Sequence, residues 1–417
     1  MTRLLAIVLS FSILAPPALA EAALDLDTLL ALARERAPAL ATRRARAAAA
    51  RERVAPAGAL ANPMIEGRWA NAGATELTLG EEDMSVLELM VKQELPGRGK
   101  RQARRDAARA AVAVEEAALV ALERGLEREV RRLWARLYAL DREVAALDAG
   151  HELLELLAAT VTARYGAGGG EQEAVLKVQL RLALHDEMRV GVVGEREETA
   201  AELRRLLDLD QATSLGPVEV LPTFEPLPPD LAEKAVAGSA EVALRRAEVA
   251  AAEGELAVEK LDLEPDFAAV SAFGYRAEME PMLTVGLAVE LPFWRRQRQE
   301  PLIRAAGQEV EAARAALREA EVALRGEAQV LFARWRRIEG QARLVREAVL
   351  PQASATLDAG RAAFLADRGE FGTVIEDFDL WLEARVRSAA LEAERFITWA
   401  EAQALLPAAS TSEGGQS

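Results

Sequence analysis

Two stretches of this chain alternate strictly between apolar and polar positions. From Met282 onward, Leu283, Val285, Leu287, Val289 and Leu291 share one parity, and Met282, Thr284, Gly286, Ala288 and Glu290 take the other. Between Val86 and Leu95, the residues Leu87, Leu89, Val91 and Leu95 repeat the apolar parity, with Gln93 the exception. Glu88, Met90, Lys92 and Glu94 fall opposite. A period of two predicts strands with one apolar and one polar face. Each has an upstream companion, one from Pro63 to Asn71 and one from Pro265 to Tyr275. Ile65, Trp69, Phe267, Phe273 and Tyr275 take the apolar parity there, and Glu66 and Arg68 the polar one. About ten residues is the length that crosses a bilayer at a tilt. The competing reading is a soluble amphipathic hairpin packed on a helix.

Elsewhere the pattern is helical and far too long for a globular domain. An unbroken run from Arg98 to Tyr165 predicts one helix of about 68 residues, roughly 100 Å. Gly166–Gly170 breaks it, and a second helix is expected over Glu171–Leu209. The other half repeats this order: helix Ser239–Asp262, two strands, helix Gln297–Leu365, a break near Asp367–Gly369, helix Glu370–Leu406. The first half opens on a helix over Ala39–Leu60. The two shorter helices of each half, placed end to end, match one long helix.

The halves align at an offset of about 200 residues. Arg43–Val54 matches Arg245–Leu256, Ala61–Gly67 matches Leu263–Ala269, and Ala163–Leu176 matches Ala362–Ile375. The same Glu-Leu-Pro joint closes each second strand, at Pro96 and Pro292, ahead of a basic run. The organisation expected is therefore a leader over 1–20, a first repeat over 21–209, a linker over 210–230, a second repeat over 231–406 and a disordered tail over 407–417.

Composition narrows the setting. The chain has 417 residues, a formal net charge of −16, no cysteine and two histidines. The acidity argues against nucleic acid as a partner, and the missing cysteine excludes disulfides and thiolate metal sites. Arg3, the apolar run Leu4–Leu14 and Ala18-Leu19-Ala20 read as a secretory signal cleaved after Ala20. No other run of 18 apolar residues exists, so entry into a membrane requires a β-barrel. Four strands cannot close one. A dimer gives eight strands with a plugged interior, a trimer twelve with a water-filled lumen.

Other candidate chemistry is thin. Gly97, Gly99 and Lys100 lack the spacing and the Ser/Thr of a phosphate loop. His151 and His185 have no second histidine at ligand spacing on their own helices and read as surface residues. Trp134 and Trp335, at matching depths, read as helix packing. No nucleophile–base or paired-carboxylate constellation stands out, so no enzyme, metal or cofactor is expected. The basic clusters at Arg98–Arg105 and Arg295–Arg298 begin helices, where the dipole disfavours positive charge. Lipid phosphate is the expected counter-charge for Arg98, Lys100 and Arg101, with Pro96, Pro292 and Trp294 completing a membrane collar.

The duplicated helix–strand–strand–long helix–helix unit, over Leu24–Leu406, resembles the TolC family of outer membrane efflux proteins, most of all its divalent-cation branch. The carriers of the resemblance are the strand-ending Leu-Pro and the inter-helix tips, which resemble Tyr-x-x-Gly-x-x-x-x-x-Asp-Val-Leu. The first tip keeps Tyr165, Gly168, Val175 and Leu176, with Ala174 for the acid. The second has Phe364, Asp367 in the glycine's place, then Thr373, Val374 and Ile375. The resemblance implies a mostly α-helical homotrimer, with a helical periplasmic tunnel under a twelve-stranded barrel in the outer membrane of a Gram-negative-type bacterium. It implies passive conduction of metal cations or small toxic molecules, fed by a periplasmic adaptor and an inner-membrane pump. Glu376 falls at one gate acid, Thr373 replaces the other, and Asp377 and Glu370 lie close by. Tyr165, Gly168, Phe364 and Gly369 fall at the adaptor-docking tips. The alternative is an exported coiled-coil structural or adaptor protein without a channel.

Overall fold

The computed structural model describes residues 25–71, 85–277 and 279–407. The expected leader, the loop after Asn71 and the tail beyond Pro407 lie outside the described residues. The described elements run α1 (Leu26–Arg36), α2 (Pro38–Ala57), β1 (Met64–Ala70), β2 (Val86–Leu95), α3 (Lys100–Gly166) and α4 (Gln172–Leu207). After an irregular linker come α5 (Leu231–Gly238), α6 (Ala240–Leu261), β3 (Asp266–Tyr275), β4 (Met282–Glu290), α7 (Gln299–Leu344), a π-helical turn (Val345–Val349), α8 (Leu350–Leu365) and α9 (Phe371–Leu405).

The duplication is visible in the packing. α2 and α4 lie end to end along α3, as the lengths require. Arg51–Glu116 (2.6 Å) and Arg43–Glu115 (2.9 Å) tie α2 to the first part of α3. Arg136–Glu195 and Arg189–Asp148 tie α4 to the second. α6 and α9 lie along the remaining sides of α3, and α7 packs on both. The linker threads between the two helical cores. Leu215 and Val218 belong to the core built from α1, α3, α4 and α9. Leu227 belongs to the one built from α5, α7 and α9. Phe224 bridges them, its ring 5.5 Å from Phe396 and 5.8 Å from Trp335. Edge-to-face contacts of this kind add about 0.5–1.5 kcal/mol beyond burial.

Three boundaries differ from the sequence expectation. The helix expected over Ala39–Leu60 is α2, and a further helix, α1, precedes it, set apart because Pro38 drives Ala37 out of the helical region (ψ 120°). Likewise α5 precedes α6, separated at Ser239, whose hydroxyl accepts the Val242 N–H at 3.2 Å and caps α6. The expected single helix over Gln297–Leu365 contains the π-helical turn, directly ahead of Pro351, which has no N–H for the α-helical ladder.

The strands form one antiparallel sheet in the order β1-β2-β3-β4, so both outer edges are unpaired within the chain. The register places Trp69 opposite Leu87, Leu89 opposite Phe273, and Phe273 opposite Leu283. All the predicted apolar positions therefore share one face.

The two Glu-Leu-Pro joints are built differently. Gly99 is left-handed (φ 84°), and a Cβ on Gly97 would overlap the Pro265 carbonyl. The first joint is thus clamped against the start of β3. Asp266 accepts the Gly97 N–H at 2.7 Å and the Lys100 ammonium at 2.8 Å, and Asp262 lies 3.6 Å from the same ammonium. Lys100 is buried, so the expectation of a lipid phosphate for this residue is corrected: the second repeat supplies the counter-charge. Arg101 donates to the Gly58 carbonyl at 2.9 Å, and Arg98 is exposed. The second joint has no such clamp, and Phe293 and Trp294 stand open there, which is why it needs no glycine.

This asymmetry has a consequence for stability. Asp266→Ala strands a buried ammonium and leaves it only the more distant Asp262, at a cost of about 2–4 kcal/mol. Lys100→Met removes the buried charge and leaves a half-exposed carboxylate that keeps its Gly97 bond, so it costs less. Heat-modifiability on gels should show the folded species of Asp266→Ala dissociating at a lower temperature than that of Lys100→Met.

Candidate functional site

Two regions carry function: the face of the sheet and the far end of the helical body. On the sheet, the apolar face is turned to the outside. Leu283 is 74%, Val285 79% and Leu287 67% exposed, and Ile65, Trp69, Leu89 and Phe273 are also open. The opposite face carries the polar parity, including the Arg68–Glu88 ion pair between β1 and β2 and the Lys92–Glu94 pair at 3.9 Å. An apolar face this continuous exceeds what a water-soluble monomer leaves uncovered. At about 3.3 Å per residue, ten-residue strands tilted by about 45° span an apolar slab of roughly 25 Å.

About 100 Å of helix away, the two tips are copies of one turn. In the first, Gly169 N–H donates to the Arg164 carbonyl (3.0 Å) and Gly168 N–H to Tyr165 (3.0 Å). In the second, Arg368 N–H donates to Ala363 (2.9 Å) and Asp367 N–H to Phe364 (3.1 Å). Both are helix ends closed by a left-handed residue, Gly168 (φ 78°) and Asp367 (φ 59°). Asp367 therefore takes the glycine's conformation, as the alignment placed it. The next step is shared as well. A Cβ on Gly170 would lie 2.9 Å from the Tyr165 nitrogen, and one on Gly369 3.1 Å from the Phe364 nitrogen.

Arg164 joins the two tips. Its guanidinium lies 4.5 Å from the Phe364 ring centre, donates to the Phe364 carbonyl at 2.8 Å and the Leu365 carbonyl at 3.2 Å, and approaches Asp367 at 3.3 Å. A cation on the last carbonyls of α8 satisfies groups the helix leaves open and opposes its dipole. Beneath it Phe364 and Phe371 pack 5.7 Å apart, with Val161 and Val374. A cleft of about 440 Å³ lies between the tips, lined by Arg164, Lys177, Glu171, Glu370 and Phe371 among others.

The predicted residues divide. Glu376, Thr373 and Glu370 are exposed. Tyr165 is half exposed. Asp377 is not beside them: one helical step turns it into the α8–α9 seam, buried, its carboxylate against the space where Gly360 lacks a Cβ. A ring acid at Asp377 is thus corrected. Phe364 is buried too, and serves the tip as a packing platform. No pattern along the chain singles out Arg164, because arginine in a last helical turn is common. Nor does any show that Asp379, on the same turn as Glu376, pairs with Arg181 of α4.

The histidines also depart from expectation. They meet across α3 and α4 with ring centres 6.2 Å apart. His185 is buried, its Nε2 2.7 Å from the Leu147 carbonyl, and Gly150 makes room for it. His151 lies 3.1 Å from Asp186 and 3.4 Å from Glu155. Among the described residues, no group of three or more His, Cys, Asp or Glu is placed to hold a metal ion. Among them also, no helix is long and apolar enough to cross a membrane.

No family model matches the sequence, and no curated protein matches it. Solved structures do. The outer membrane protein VceC of Vibrio cholerae superposes with a TM-score of 0.78 at 17% identity, over 91% of this chain and 95% of that one. The outer-membrane channel OprN gives 0.77 at 16%, over 91% and 89%. The open-state MtrE outer membrane channel of Neisseria gonorrhoeae gives 0.71 at 14%, over 91% and 88%. The chain thus has the fold of outer-membrane channels of the TolC type, along nearly its whole length.

Arg164→Ala removes a cation–π contact and two carbonyl bonds, worth together about 1–2 kcal/mol. Hydrogen exchange over residues 362–370 should accelerate roughly tenfold, while exchange at the sheet stays unchanged.

Proposed function

We propose that this chain is the outer-membrane channel of a tripartite efflux system, a homotrimer conducting substrates passively from periplasm to exterior. The observation that carries the reading is the sheet: four strands, two unpaired edges and one continuous apolar face turned outward. In lipid, unpaired edge N–H and C=O groups are forbidden, so the sheet must join others and close. Three copies give twelve strands, with the Arg68–Glu88 face lining the lumen. The helices ask for the same partners. Leu176, Leu180 and Leu184 of α4 form an exposed stripe, and Val322, Val330 and Leu344 stand open on α7. These open apolar residues are surfaces that neighbouring copies in a trimer would cover.

In this reading the tips form the periplasmic mouth. Glu376, repeated three times, gives the mouth a negative potential that favours cations. Glu370 and Thr373 are exposed close by. The cleft between the tips receives the adaptor, with Tyr165, Gly168 and Gly369 shaping its rim. The collar residues Pro96, Pro292, Arg98 and Trp294 sit where sheet meets helix, at the inner leaflet of the membrane. Metal cations and small toxic molecules are the substrate classes this mouth admits. The driving force comes from an inner-membrane pump. A coiled-coil protein without a channel leaves the outward apolar sheet unexplained.

The test is a pair of substitutions on one strand. Leu287→Arg places a charge at mid-face in lipid, a penalty of about 2–4 kcal/mol per copy, and should abolish recovery of a trimer from the outer-membrane fraction. Thr284→Arg, on the lumen parity, should still assemble. Equal behaviour of the two would overturn the reading. In planar bilayers, Glu376→Gln should lower cation-over-anion selectivity without loss of assembly.

A further inference from the structure

A second cleft lies far from both regions. Counted along α9, Arg385 is about 20 Å from the tip. Arg142 of α3, Arg346 of the π-helical turn and Arg385 of α9 line one cleft of about 300 Å³, with Tyr138, Ser388 and Glu392. Three elements contribute one guanidinium each. Among the described residues none of the three has a carboxylate in ion-pair range or a hydrogen bond to the protein. Their neighbours do: Arg136 pairs with Glu195, Arg337 with Glu394 and Arg395 with Glu339. Arg385 is steadied over the Trp381 ring at 5.0 Å. Glu392 is the cleft's one carboxylate, and it accepts the Tyr138 hydroxyl. Burial first, and Glu392 second, push the Tyr138 phenol well above its usual range, so the hydroxyl remains a donor. Three cations against one carboxylate reverse the sign of a chain whose formal charge is −16.

The cleft continues into a groove of about 490 Å³ that shares Tyr138, Arg142 and Glu392, adds Arg395, and is walled by linker residues 219–224, so that Glu219 is a second carboxylate against four arginines. Those linker residues belong to neither helix nor strand, and no main-chain hydrogen bond joins them to another part of the described backbone. Val220 is 76% exposed. Apart from Pro222, which has no N–H, this is unpaired main chain with arginines beside it. An extended segment laid along it can pair main chain to main chain, and its alternate side chains, about 7 Å apart, point the same way. Guanidinium groups favour carboxylates in that position through paired N–H donors.

We infer that the Arg142–Arg346–Arg385 cleft and the 219–224 groove form a docking site for an acidic, extended polypeptide segment of a partner protein, separate from the tips. The open, elongated groove favours a chain over a small anion. The site goes beyond the channel reading, which neither uses nor requires these arginines.

The probe is a fluorescein-labelled ten-residue peptide alternating Glu and Thr, with a Gln-for-Glu counterpart, titrated against the purified full-length protein by anisotropy. Binding of the acidic peptide alone is expected, weakening at least tenfold in the Arg142→Gln, Arg346→Gln, Arg385→Gln triple variant. A control triple, Arg36→Gln, Arg46→Gln, Arg53→Gln, removes equal charge from exposed positions elsewhere and should leave the affinity unchanged. Because the chain has no cysteine, Val220→Cys offers a unique crosslinking point that leaves all the arginines in place. A thiol-reactive acidic peptide should couple there at least ten times faster than to Leu302→Cys. Equal losses in the two triples, equal coupling at the two cysteines, or displacement of the peptide by citrate at comparable concentration would each overturn the site as a polypeptide-docking surface. Should the arginine triple fail to fold, the crosslinking arm decides alone.

Discussion

The unpaired edge of a four-stranded sheet governs the rest of this structure. Each strand satisfies its backbone through its neighbours, and β1 and β4 each have one side left over. In water that deficit is minor, because solvent completes the ladder. On an apolar face built from Leu283, Val285, Leu287 and Phe273, water is excluded when the face is covered, and the missing partners must then be other strands. Sheet closure also fixes the helices. β2 leads through a tight clamped joint into α3, and β4 through a looser one into α7. An assembly that closes the sheets therefore gathers the helical bodies of its copies round the same axis.

Duplication preserved geometry more faithfully than residues. The two tips share a closing hydrogen-bond pattern, a left-handed residue and a glycine that admits no Cβ, yet the left-handed residue is Gly168 in one and Asp367 in the other. The collars diverged further. Asp266 holds the first joint by bonding Gly97 and Lys100, so its glycines are obligatory, while the second joint sits free of that contact and carries Phe293 and Trp294 instead. The glycines and lysine, which lack the spacing of a phosphate loop, are a mechanical coupling between repeats, with Asp266 as the counter-charge.

Period-two alternation made the sheet legible, since a half-buried strand can use no other pattern; β2 was bounded to the residue and the others within one or two. Helix existence was equally legible from the long Ala/Arg/Glu runs. What escaped depended on single residues acting at a distance. The break at Ala37 comes from Pro38, so the expected helix began just after it and α1 went unread. The π turn followed from Pro351 inside an unbroken helical pattern. Lys100 looked like a surface charge because its partner lies 166 residues away. The two histidines looked solitary because no spacing rule spans two helices, and only the α3–α4 pairing brought their rings together.

The same limit applies to the acids of the second tip, and the structure sorts them. Glu370, Thr373, Glu376, Asp377 and Asp379 fall within three helical turns, and sequence alone offers all the acids equally to a mouth. Packing removes Asp377 into the α8–α9 seam and commits Asp379 to Arg181. Glu370 and Glu376 remain, both exposed and without an ion pair among the described residues. In the channel proposed above, these two exposed acids per copy would give the mouth a preference for cations that rests on long-range potential. Such a mouth sorts by charge and size, and salt screens it over about 8–10 Å. In that reading a narrow constriction keeps its selectivity where a wide one loses it, so the width between the tips controls how much these carboxylates can do.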